Sequence, residues 1–147
     1  MGTKIMTRYW VGVASHEHVK AGVTGGFAQV CHGKCSPLKK MNPGDWIVYY
    51  SPVEIFESNI ACRKFTAMGK VDNREPYEVS MYEDFTPWRR DVAFVPVTPV
   101  AIHALLHILS FITNKVHWGM IFRRGCFEIP KHDFQQIADA MGVTIDD

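Results

Sequence analysis

Apolar positions along the chain fall into short blocks rather than long periodic runs. Residues 7–14 (Thr-Arg-Tyr-Trp-Val-Gly-Val-Ala) are apolar and β-prone, which predicts a buried strand. Ser15 follows as a natural N-cap. Glu17 sits at the positive end of the short helix it would open, and Gly22, Gly25 and Gly26 are expected to stop that helix. Residues 27–41 show no period and read as an irregular surface loop, although Phe27, Val30, Leu38 and Met41 need cover. The turn Asn42-Pro43-Gly44-Asp45 leads into a strand over 46–50, ended by Ser51-Pro52. Further strands are predicted over 62–71, 77–82 and 92–97, with Pro96 suited to an end or an edge. From Thr98-Pro99 the residues Ile102, Leu105, Leu106 and Leu109 recur at helical spacing. Residues 117–123 and 127–129 read as strands. A last helix opens at Pro130, buries Phe134, Ile137, Ala138 and Met141, and ends at Gly142. The order implies an α+β domain with a mixed, curved sheet flanked by short helices.

Composition narrows the class. The chain has 147 residues, 47% of them hydrophobic and 21% charged, which suits one folded domain over 1–147 and excludes wholesale disorder. Residues 1–6 are expected to form a short lead without fixed structure. The longest apolar candidate, residues 101–112, is broken by His103 and His107, so no membrane span is expected. The N-terminus carries no apolar signal stretch, and Met6 stands where a myristoylation signal needs Ser or Thr. A cytoplasmic protein with four free thiols is the expectation. Nine Phe, five Tyr and four Trp accompany a net charge of +1. That balance argues against broad coating of nucleic acid, and leaves room for a small basic patch.

Candidate chemistry is sparse. Cys31-His32-Gly33-Lys34-Cys35 resembles half a zinc site, but Cys62 and Cys126 stand alone, so no metal is expected. His103 and His107 share a helical face, with no Glu between them where a zinc hydrolase would place one. There is no nucleophile elbow and no phosphate loop, and the glycines of 22–26 do not match a dinucleotide fingerprint. No catalytic residue and no cofactor is assigned. Three basic clusters remain: Lys34 with Lys39 and Lys40; Arg89-Arg90 after Phe85, Pro87 and Trp88; and Arg123-Arg124 after Trp118 and Phe122. They form either a groove where cations meet phosphates and rings stack on bases, or solvated charges beside core aromatics.

From Tyr9 to about Met141 the chain resembles the EVE-domain family of the PUA-like superfamily, relatives of YTH domains. The resemblance rests on Tyr9-Trp10-Val11, Ser15 with His18-Val19, Gly25-Gly26-Phe27-Ala28-Gln29-Val30, His32-Gly33-Lys34, Pro37-Leu38 and Met41 to Asp45. It continues through Val48 to Pro52, Phe65 to Gly69, Phe85 to Arg90, Trp118-Gly119, Phe122-Arg123 with Gly125 and Phe127, and Asp133-Phe134. It implies a strongly curved, barrel-like mixed sheet and binding of DNA or RNA through a pocket for one modified, for instance methylated, base. Such a base presents an apolar, polarizable face that aromatic walls hold by stacking. The resemblance places Phe27 where YTH domains carry Trp. The expected assignment is Phe27 and Trp118 as walls, Ser15 and Gln29 reading the base edge, Tyr50 and Ser51 at the pocket floor, and Lys34, Arg89, Arg90 and Arg123 on phosphates.

Two other readings stand beside this one. A small hydrolase acting on nucleotides or nucleic acid would need an acid–base pair, for which His32, His117 and Asp45 are the candidates. A protein-interaction adaptor would show an exposed apolar patch.

Overall fold

The computed structural model describes residues 6–145. Residues 1–5 of the expected lead lie outside the described residues; Met6, the last of that lead, is exposed. Eight strands and three helices follow in the order β1 (Tyr9–Val13), α1 (His16–Gly25), β2 (Phe27–Ala28), α2 (Ser36–Lys40), β3 (Trp46–Val53), β4 (Ala61–Val71), β5 (Tyr77–Glu78), β6 (Trp88–Val95), β7 (Val100–Ala101), β8 (Cys126–Ile129) and α3 (Lys131–Ala140). The strands form one curved sheet ordered β2-β6-β4-β3-β1-β8, with β5 beside β6 and β7 beside β4. β1 and β3 run parallel and the other pairs antiparallel. The fold is the PUA-like α+β architecture.

Alternate residues of the central strands feed two cores. Tyr9, Val11, Trp46, Val48 and Tyr50 face one side with Phe134, Ile137 and Ala138 of α3 and Met141 at its C-cap. Trp10, Ile47 and Tyr49 face the other, with Val19 of α1, Val30, Leu38 and Met41. Burial on both faces explains why β1 and β3 read as unbroken apolar runs. Asp45 fixes the turn between the layers. It is 1% exposed and its carboxylate accepts from the N–H groups of Arg8 and Asn42 and from Trp10 Nε1, at 2.8–3.0 Å.

The segment 27–41 is a correction. Parallel neighbours need a long crossover, and residues 14–45 supply it across the second core. Hence Phe27–Ala28 pair with β6, a tight turn with left-handed φ at Cys31, His32 and Gly33 follows, and then α2, with Val30, Leu38 and Met41 buried. Gly22 does not stop α1. It lies buried inside the helix, where a Cβ would stand 2.8 Å from Phe27 O, and Gly26 makes the cap at φ 73°.

Two further segments depart from their predicted elements. The apolar stripe 102–112 is buried at Ile102, Leu105, Leu109 and Ile112, yet it winds as a 3-10 turn (Ile102–Ala104) and irregular turns. Val100 and Ala101 are held by β4, and side chains take the groups a helix would pair. Buried Asp133 accepts from the N–H groups of Ser110 and Phe111, while Lys115 Nζ donates to Leu106 O and Leu109 O. Residues 117–123 are not a strand but the greater part of a 3-10 helix, Trp118–Arg124. Asn114 Oδ1 accepts from Val116 and His117 N–H and starts the turn, and Phe122 anchors it by stacking on Tyr50 at 4.0 Å. At the other end of the sheet, β3 runs on through Ser51 and Pro52 rather than ending there. Pro52 has no N–H for the ladder, and β4 carries an extra residue opposite it, with Arg63 at φ 54°.

Candidate nucleic-acid interface

β6 starts four residues earlier than expected, so Arg89 and Arg90 are neighbours on a strand and point to opposite faces. Arg90 turns inward. It is 2% exposed, and its Nη1 donates to Leu38 O at 2.9 Å and Met41 O at 2.7 Å. It holds the end of α2 and is closed to a phosphate. Arg89 turns outward, with its guanidinium 3.9 Å from the centroid of the Phe27 ring and its Nε donating to Gln29 Oε1 at 3.0 Å. Planar guanidinium on an aromatic face is a favourable stack.

The rest of this cluster is built from below. Gln29 N–H donates to Tyr49 Oη at 3.1 Å, and the Tyr49 hydroxyl donates back to Gln29 O at 3.0 Å. With its Oε1 engaged by Arg89, Gln29 keeps its side-chain N–H groups available. Phe27 lies against Gly25, where a Cβ would come within 2.5 Å of the ring, so a larger residue there would push the ring away. Ser15 caps α1 by accepting from His18 N–H at 3.3 Å. The imidazole of His18 lies beside the backbone of Gln29. Gly33 packs on Pro87 and Phe85, which brings the loop bearing exposed Lys34 beside the start of β6. His32 meets the exposed ring of Phe56 edge-on, with centroids 6.3 Å apart.

The structure therefore brings together Phe27, Gln29, Ser15 and Arg89, with Lys34 nearby, and separates the others. Tyr50 is 2% exposed, packed between Phe65 and Phe122, and its hydroxyl is pushed up to about 12, mainly by burial. Ser51 is fully buried and bonded to Thr66 Oγ1 at 2.8 Å. Neither forms a pocket floor. Trp118 packs on the first core, edge-on to His103 at 5.3 Å, and lines a separate open cleft of about 360 Å³ with Phe111, Asn114 and Arg124. It does not wall Phe27. Arg123 is exposed on that same 3-10 helix. Of the acid–base candidates, Asp45 is consumed by its three donors, and His32 and His117 are exposed.

Sequence reasoning gave no role to His18, Phe56, Arg74, Tyr77 or Asp91. Arg74 stacks on Tyr77 at 3.7 Å, and Tyr77 donates to Asp91 Oδ1 at 2.6 Å, on β5 and β6 beside Arg89. Only the exposed aromatic at the hairpin tip, Phe56, left a signal in the sequence.

His18 provides a pH test. Burial lowers its pKa below the ordinary 6.5 and the Arg89 charge lowers it further, against a raising effect of the Gln29 backbone. A depressed value means the folded protein prefers neutral His18. The stability this gives is complete above pH 6.5 and is lost as pH falls from there through the folded value. The melting temperature is expected to drop more between pH 7.5 and 5.5 in the wild type than in His18→Asn. An equal drop in both would show that His18 is not the linked group.

The EVE domain family model matches residues 8–140. The chain belongs to the EVE-domain family. Among relatives of this EVE chain, the UPF0310 protein YdcG of Bacillus subtilis is 46% identical over 139 residues, covering 95% of each chain. A UPF0310 protein of Bacillus licheniformis, in the gntR 5′ region, is 49% identical over 127 residues, covering 86% of each. Solved structures share the fold at low identity. The Pho92 YTH domain, determined in complex with m6A, superposes with a TM-score of 0.63 at 19% identity, covering all of this chain and 90% of that one. Atu2648 of Agrobacterium tumefaciens gives 0.59 at 12%, covering 93% of this chain and 94% of its own. Among the described residues no helix is long and apolar enough to cross a membrane.

Proposed function

We propose that this EVE domain reads a modified base, methylated in the simplest case, in single-stranded or flipped DNA or RNA. The observation that carries this reading is the half-buried stack of Arg89 on Phe27 with Gln29, 6% exposed, held beneath it by the Arg89 hydrogen bond. It combines a stacking ring and a cation on a paired strand with an amide directly after that strand. The likeness of fold to a YTH domain solved with m6A supports it. In this reading the incoming base takes the place of the guanidinium on Phe27. Gln29 donates to the base edge, and the displaced Arg89 swings out to a backbone phosphate, joined by Lys34 at the rim. Ser15 keeps its capping bond and presents its hydroxyl beside His18. A base exchanged for a guanidinium costs one cation–π contact, roughly 0.5–1 kcal/mol at an exposed site. It gains a stack of about 1–3 kcal/mol.

The test is fluorescence anisotropy with short single strands that differ only in one central base, across methylated and unmethylated purines and pyrimidines in DNA and RNA. One modified strand is expected to bind about tenfold tighter than its plain counterpart. The salt slope should be shallow, since few phosphates are neutralised. Equal affinity throughout the panel would remove the modified-base reading.

A further inference from the structure

Three side chains from separate elements meet beside the start of α1. His16 is the first residue of that helix, Glu54 follows directly on β3, and Cys62 lies near the start of β4. His16 Nδ1 lies 3.0 and 3.2 Å from the two Glu54 carboxylate oxygens. One ligand atom from each of the three residues lies within 4.8 Å of the others. All three are half-buried. Backbone bonds hold the frame: Glu17 N–H donates to Glu54 O, and Glu54 N–H donates to Ile60 O, both at 2.9 Å. The bulge opposite Pro52 adds the extra residue at Cys62 and Arg63, and bulges of this kind redirect side chains.

We propose that His16, Glu54 and Cys62 form a zinc-binding site with three protein ligands and a fourth position open to water. The donor set decides the metal. Thiolate and imidazole disfavour calcium and magnesium, which take oxygen, and all three donors suit zinc. A tetrahedral ion with bonds of about 2.0–2.3 Å keeps its donors roughly 3.3–3.7 Å apart. The imidazole and carboxylate are already near that spacing, and the Cys62 thiol, within 4.8 Å of both, has to close by about an ångström.

The same arrangement argues against a nucleophilic cysteine. Burial, and then the Glu54 charge beside it, pushes the Cys62 thiol up. The thiol therefore keeps its proton until a dication displaces it, so zinc binding releases a proton and strengthens with pH. Lys20 beside Glu54 and Lys64 beside Cys62 temper the affinity without touching the ligand set. A bound ion would fasten α1 to the β3–β4 hairpin, whose tip carries Phe56 against His32.

The test uses the full chain, reduced and stripped of metal with a chelator, titrated with cobalt(II) and then zinc. The expected result is one equivalent of cobalt with a thiolate charge-transfer band and the intense visible bands of a tetrahedral site, displaced by zinc. Cys62→Ser should abolish the charge-transfer band. His16→Gln, which leaves the thiol and the Ser15 cap in place, should weaken zinc binding at least tenfold. Cys35→Ser should change neither. Circular dichroism checks that each variant is folded, and His16→Gln decides the matter if Cys62→Ser is not. No charge-transfer band in the wild type, a band that survives Cys62→Ser, or zinc affinity unmoved by His16→Gln would overturn the proposal.

Discussion

Arg90→Ala is expected to destabilise the protein by about 3 kcal/mol, whereas Arg89→Ala, one residue away, should cost under about 1 kcal/mol. The difference comes from which face of β6 each side chain takes. Arg90 fills space between β6 and α2, and its Nη1 satisfies two carbonyls at the end of that helix. Truncation takes the Arg90 donor from Met41 O and leaves Leu38 O only the long 3.4 Å bond from Met41 N–H, at roughly 1–3 kcal/mol for a buried carbonyl left unpaired. It also opens a cavity in a core that relaxes only in part. Relief of the buried charge offsets some of this, since no carboxylate partners the guanidinium among the described residues. For a domain of this size the loss corresponds to a fall in melting temperature of about 10 °C. Arg90→Lys should recover part of the loss, because an ammonium reaches the carbonyls without the planar fork. Urea unfolding checks the series. An Arg90→Ala midpoint within error of the wild type would mean that the guanidinium is not the anchor of α2.

Phe27→Ala is expected to lower affinity for the preferred modified strand by tenfold or more and to erase the preference over the plain strand. One base–aromatic stack is worth about 1–3 kcal/mol, and the methyl group adds its contact to that same ring. Stability should change little, since the ring is half-buried and packs on Gly25 rather than in either core. Arg89→Ala should behave differently. If Arg89 contacts a phosphate as proposed, modified and plain strands weaken alike and the salt slope shrinks by about one. A Phe27→Ala variant that keeps its preference would place the discriminating wall elsewhere on the molecule.

Much of the fold was legible in the sequence where local signals and burial agree. Ser15 as a cap, the turn ending in Asp45, the doubly buried strands β1 and β3, and α3 with its apolar stripe are all present. The failures share one cause, which is that distant groups settled the local structure. The stripe at Ile102, Leu105 and Leu109 is apolar at helical spacing and is buried as such. Its backbone is bent by Asp133, which lies beyond β8, and by Lys115. Residues 27–41 read as a surface loop because nothing local says that β1 and β3 are parallel and need a crossover there.

The candidate site divides in the same way. The run Gly25 to Gln29 puts Phe27 on β2 and Gln29 directly after it, two residues apart and both in contact with Arg89, although Gln29 is buried. The pair Arg89-Arg90 looked like one basic cluster. Strand alternation makes one of them a surface cation and the other a buried anchor. Trp118, Tyr50 and Ser51 were grouped with the pocket by family likeness, and packing against Phe122, Phe65 and Thr66 assigns the latter two to the core.

The central claim is that a modified base binds over Phe27, beside Gln29 and Arg89. Its most direct test is nitrogen–proton correlation NMR of the labelled protein during titration with a methylated nucleoside and with its unmodified parent. The expected result is perturbation of the Arg89 Nε resonance and of the Ala28 and Gln29 amides by one methylated nucleoside, with much weaker shifts from the parent and a still indole resonance at Trp118. Shifts centred on the Trp118 indole, or equal responses to both nucleosides, would contradict it.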